Sequence, residues 1–102
     1  MTTRLERLQE FLNDEPNDIF THYALALELA RLDRADEAVA KFEETIALDP
    51  TYIPAHHQLG LLLVRLNRTE EAKRAFERGI AAATADFHAR AEMQESLDEL
   101  LP

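Results

Sequence analysis

A chain of 102 residues, 46% hydrophobic and 30% charged, is long enough to close a small core and too apolar to stay disordered. The absence of Cys excludes a disulfide framework, a thiolate zinc site and a Cys nucleophile, and it fits a reducing, cytoplasmic setting. A net charge of −9 lacks the clustered basic face that phosphate contacts need, which excludes nucleic acid as a partner.

The acid excess has two readings. Twenty Asp and Glu stand against nine Arg and two Lys, a balance that suits either a salt-rich (halophile) cytoplasm or a basic partner. The opening MTTRLERLQEF has no apolar block of signal-peptide type. The longest apolar run, Leu59–Val64, is far shorter than the roughly 20 residues that cross a bilayer, so no membrane insertion is expected.

Two Gly and four Pro, with no β-branched stretch, favour an all-α protein. Leu5, Leu8 and Leu12 recur at helical spacing and predict a first helix over about residues 3–13. Pro16 stops it, because proline disfavours helix in the residue before it. Asn17 or Asp18 caps a second helix over about 18–32. Asp33 and Asn67 mark equivalent turns, as the non-glycine residue types that best tolerate left-handed backbone. A third helix covers about 35–48 and ends at Pro50. Pro54 suits the first turn of a fourth helix running to Leu66. Thr69 is the expected cap of a fifth over about 69–83, and Asp86 of a sixth reaching about Leu101. Every connection is short, so these six or so helices run antiparallel in sequence.

The chain also repeats itself. Ile19–Tyr52 lies over Ile53–Asp86 without a gap, a period of 34 residues. His22/His56, Leu25/Leu59, Leu27/Leu61, Leu29/Leu63, Ala38/Ala72, Phe42/Phe76 and Ile46/Ile80 match across it. A period of this size signals stacked units, none of which buries its apolar face alone. The second helix of each copy carries one apolar stripe, Ala38, Phe42 and Ile46 or Ala72, Phe76 and Ile80, as an outer helix does. The first helix carries two. Leu25, Leu29 and Leu32 form one stripe, and Tyr23, Leu27 and Ala30 a second on another side. In the other copy Leu59, Leu63 and Leu66 are joined by Leu61, Val64 and Leu62. A helix apolar nearly all round is deep in a core or presents a surface to something else.

These residues resemble the tetratricopeptide repeat family, a 34-residue helix-turn-helix unit. Leu25-Ala26 and Leu59-Gly60 match its Leu-Gly pair. Ala38 and Ala72 match its small residue, Phe42 and Phe76 its aromatic, and Pro50 its closing Pro. Some positions depart from the pattern. His22 and His56 stand where Trp is frequent, Leu29 and Leu63 where Tyr is, and Thr84 replaces a closing Pro. Gln94 replaces a small residue, so no close partner helix is expected over it. The resemblance implies a right-handed helix-turn-helix solenoid (an α-α superhelix) forming one domain over 1–102. Its parts are a half-repeat helix 1–18, repeats 19–52 and 53–86, and a capping helix 87–102.

In that family the leading helices line a concave groove that holds a peptide or a partner's helix. Carried over, the groove residues are Phe20, Tyr23, Leu27, Ala30 and Arg31, then Pro54, His57, Leu61, Val64 and Arg65. His88, Ala91 and Glu95 follow from the last helix. The family's Lys/Asn clamp on a C-terminal carboxylate does not carry over, since Tyr23, Leu27 and Leu61 occupy its places. The expected function is therefore a protein–protein interaction module with an apolar groove and Arg31 and Arg65 at its rim. Self-association as a homodimer through the same stripe, or its burial as plain core, are the alternatives. The acidic run Glu92, Glu95, Asp98 and Glu99 is either a solvated face or a contact for a basic segment.

No enzyme is expected. His56 and His57 diverge by about 100° on a helix and do not share one ion easily. His22 and His56 are repeat equivalents expected at the helix seam. His57 and His88 lack a placed carboxylate. No H-E-x-x-H, phosphate-cradling Gly loop or nucleophile elbow is present, so no catalytic residue, metal or cofactor is expected.

Overall fold

Side-chain caps and left-handed turns set where the helices begin and end. In the computed structural model, which describes residues 1–102, they divide the chain into six helices and no strand. Two three-helix units result, Met1–Asp49 and Pro50–Pro102. The first holds α1 (Arg4–Asp14), α2 (Ile19–Arg31) and α3 (Ala35–Leu48). The second holds α4 (Ile53–Arg65), α5 (Thr69–Ala82) and α6 (Phe87–Glu99).

Asp18 starts α2 by accepting from the Thr21 amide at 2.9 Å, and Asp86 starts α6 by accepting from Ala89 at 3.0 Å. Each satisfies an amide that the first turn leaves without a partner. At the other ends Asp33 and Asn67 take φ of 59° and 60°. The Arg34 amide then reaches Leu29 O and the Asp33 amide Ala30 O, and Arg68 and Asn67 repeat the pattern on Leu63 and Val64. These are the paired bonds of a Schellman stop, which reverse the chain within three residues. Thr69 is not the cap predicted for α5. Arg68 holds that position without a side-chain cap bond and instead clamps Glu71, as Arg34 clamps Glu37.

In the first unit α2 packs on both α1 and α3. Leu12, Leu25, Ala26, Leu29, Ala38, Phe42 and Ile46 are buried. Leu32, predicted to extend this stripe, is 41% exposed because α2 has ended at Arg31 and the chain is already turning. In the second unit α4, α5 and α6 all touch one another. Leu59, Leu63, Ala72, Ala75, Phe76 and Met93 are buried, and so is Leu62. Leu62 therefore joins the core rather than the outer stripe.

Small residues bring the helices of the second unit close. A Cβ on Gly60 would sit 2.3 Å from Phe76 Cε1, and one on Gly79 would sit 2.5 Å from Met93 Sδ and 2.8 Å from His56 Cβ. Neither site has room for a methyl unless a buried neighbour moves.

His22 and His56 lie at the seam as expected. Each is buried, and each Nε2–H donates to a loop carbonyl, Pro16 O at 2.7 Å and Pro50 O at 2.8 Å. An imidazole here ties the leading helix to the proline turn before it. Both Nδ1 atoms are left without a hydrogen-bond partner.

Candidate functional site

The stripe on α2 is set by helical spacing around two core anchors. Leu25 and Leu29 point inward, which turns the face bearing Phe20, Tyr23, Leu27, Ala30 and Arg31 outward. Phe20 is 69% exposed and Leu27 38%, while Tyr23 and Ala30 are half-buried. Tyr23 rests on the core, its ring centroid 6.1 Å from that of Phe42, and so presents a braced edge. Arg31 is exposed but not free. Its Nε and Nη2 each donate to Glu28 at 2.7 Å, in a bidentate pair.

The stripe on α4 follows the same logic around Leu59 and Leu63. Leu61 is 39% exposed and Val64 37%, and Pro54 and Arg65 are exposed. His57 is half-buried, with its ring edge-on to Phe76 at 6.4 Å. His88 is exposed on α6 and lies 3.1 Å from the Glu92 carboxylate. Pro54, His57 and His88 come together around a cavity of about 250 Å³, which Ile53, Gln58, Asp86, Ala89 and Glu92 complete. Ala91 and Glu95 are exposed on α6 outside that wall. No group of three or more His, Asp or Glu converges to hold a metal ion, and no helix is long and apolar enough to cross a membrane.

In the sequence Glu28 reads as an outward-facing charge. It is a charged side chain only 4% exposed, taken up by Arg31 and approached by Arg4 of α1 at 3.9 Å. Its repeat equivalent is Leu62, also buried, and that mismatch between copies was the available signal. Hydrogen bonds from Arg31 hold the Glu28 carboxyl below its ordinary 4.5, against the upward pull of burial and with help from the Arg31 and Arg4 charges. A carboxyl lowered in the folded state stabilises the fold above its unfolded value and stops doing so as pH falls through the folded one. Glu28→Leu, which copies position 62, should therefore flatten the acid limb of the stability curve below about pH 4.5, as urea midpoints measured from pH 7 down to pH 3 would read.

Comparison with known proteins places this geometry. The tetratricopeptide repeat family matches residues 29–95. The solution structure of a tetratricopeptide repeat domain protein from Salinibacter ruber is 37% identical, with a TM-score of 0.78 over 83% of this chain and 88% of that one. The TPR2B domain of yeast Sti1, in its pHsp70 complex, reaches 0.85 at 16% identity over 94% of this chain and 78% of that one. The first TPR of RPAP3, bound to the HSP90 peptide SRMEEVD, reaches 0.76 at 22% over 94% and 78%. The last two share the fold alone. A search of curated proteins gives no match. The repeat length, the buried Phe42 and Phe76, the close helix pairs and the Salinibacter likeness agree: this chain belongs to the tetratricopeptide repeat family, a non-catalytic helical scaffold.

Proposed function

We propose that the protein is an adaptor whose leading helices α2 and α4 each offer an apolar stripe to a peptide or amphipathic helix of a partner protein. One observation carries the reading. At equivalent places in the two copies, Leu27 and Leu61 are 38% and 39% exposed, while Leu29 and Leu63, two residues on, are buried. Folding uses one side of each leading helix and leaves the other side greasy, twice, at the same register. Such anchors at helical spacing are what a docked segment needs. Proteins of the same fold are seen in complexes, RPAP3 with the HSP90 peptide SRMEEVD and Sti1 with pHsp70, which supports the general role. A carboxylate clamp forms no part of this reading, since Tyr23, Leu27 and Leu61 leave no Lys or Asn for one.

Two pairs of variants test it. Leu29→Ala and Leu63→Ala should each cost about 2–5 kcal/mol as core truncations. Leu27→Ala and Leu61→Ala should cost about 1 kcal/mol or less, yet remove the partner recovered by cross-linked capture from the native cell. Equal destabilisation by both pairs would make the stripes core. A clean dimer in light scattering, lost in Leu27→Ala and Leu61→Ala with no partner captured, would assign the stripes to self-association.

A further inference from the structure

The pairs α1–α2 and α5–α6 are one element used twice. Asp18 and Asp86, 68 residues apart, enter the second helix of each pair with the same cap bond to the third residue on. In the C-terminal unit that pair is covered. The helix α4 touches both α5 and α6, with its Gly60 against Phe76 and its His56 against Gly79, and Ala72, Ala75, Phe76 and Gly79 are the buried residues of α5. The same four positions on α1 hold Arg4, Arg7, Leu8 and Phe11. None of them is buried, and Phe11 is 51% exposed. With Phe20, Thr21 and Ala24 of α2 they line an open cavity of about 310 Å³.

The chemistry of the wall selects the occupant. Leu8, Phe11, Phe20 and Ala24 form an apolar floor, and Arg4 and Arg7 supply two guanidinium groups with no carboxylate in the lining. That is unlike the rest of its unit, where twelve Asp and Glu outnumber three Lys and Arg. Another cavity of the unit is lined by Glu6, Glu37 and Glu44 beside Arg34 and Lys41. Arg7 donates to Thr2 O at 2.9 Å. Arg and Phe in place of Ala and Gly keep an occupant further off than α4 stands from α5, within reach of side chains rather than backbone.

We infer that this cavity docks an acidic amphipathic helix of a partner protein, its apolar side chains on Leu8, Phe11, Phe20 and Ala24 and its carboxylates at Arg4 and Arg7. The surface shares Phe20 with the α2 stripe but stands on its own wall, and its test separates the two. The probe is a synthetic amidated helix of about 18 residues with Leu at i, i+3, i+4 and i+7 and Glu on the flanks. A matched peptide carries Lys for Glu. Titrated into isotope-labelled protein, the Glu peptide should shift the amides of Arg7, Leu8, Phe11 and Ala24, and bind more weakly as salt rises. Arg4→Glu with Arg7→Glu, or Phe11→Ala, should weaken it at least about tenfold, while Leu61→Ala leaves it unchanged. Arg7→Glu alone spares the Arg4–Glu28 contact and keeps the test valid if the double variant loses helicity.

Absence of shifts around the cavity at millimolar peptide would overturn the inference, as would equal binding of the Lys peptide. Loss of binding in Leu27→Ala with full binding in Phe11→Ala would also overturn it, leaving the stripe reading intact. A dimer abolished by Phe11→Ala would hand the cavity to a second copy of the chain and overturn the partner assigned here.

Discussion

Phe76→Ala is expected to lower the unfolding free energy by about 3–5 kcal/mol, read as a fall in the urea midpoint at unchanged slope. The ring is wholly buried, meets the edge of His57, and fills the space that Gly60 leaves. Its partner variant behaves in a telling way. Gly60→Ala would gain roughly 0.5–1 kcal/mol of helix propensity in an open setting. Here its methyl would land 2.3 Å from Phe76 Cε1, and a buried ring has nowhere to go, so a net cost of about 1–3 kcal/mol is expected instead. In the Phe76→Ala background the same methyl enters vacated space. The two changes together should cost less than their sum, and a double-mutant cycle measures the difference. Strict additivity would mean that the two residues do not share that space.

Met93→Ala should act differently, although it too removes a fully buried side chain worth about 2–5 kcal/mol. Met93 is the sole buried residue of α6; Leu97 and Leu100 are only half-covered, and the helix carries no basic residue in its last turn. Glu95, Asp98 and Glu99 therefore meet the negative end of the helix dipole unopposed. A helix held by one anchor opens before the unit that carries it. Hydrogen exchange should show protection lost along Phe87–Glu99 while α4 and α5 keep theirs. Uniform loss across Pro50–Pro102 would mean that α6 is an inseparable part of that unit rather than a detachable lid.

The sequence made the helices legible because their boundaries are chemical. Pro16, Asp18, Asp33, Asn67 and Asp86 each impose a local backbone state or cap a first turn, whatever lies around them. Phe42 and Phe76 were legible as core because the period places them on the single stripe of an outer helix. The same counting placed Leu27 and Leu61 on a second stripe and left open whether that stripe is core or surface. On a helix apolar nearly all round periodicity cannot choose between neighbouring sides, and only the packed structure assigns Leu62 inward and Leu61 outward. Leu32 failed for a simpler reason: it lies one residue past the helix end, where the stripe no longer has a direction. Glu28 and the α1 cavity were hidden because charge reads as outward facing. Glu28 is covered through its bidentate bond to Arg31, Arg4 stands where both later copies of the pattern have alanine, and Arg7 stands where they have Lys41 and Ala75.

The close approach at Gly60 also governs how the two copies can be recombined. Its equivalent in the first copy is Ala26, so the copies seat their aromatics against different floors. Gly60 on α4 and Phe76 on α5 pack as a pair. A crossover in the turn at residues 66–68 separates them and joins a floor to a ceiling of the wrong height. A crossover at residues 49–53 moves both together, and shuffled descendants of this chain should survive at that junction and be lost at the other.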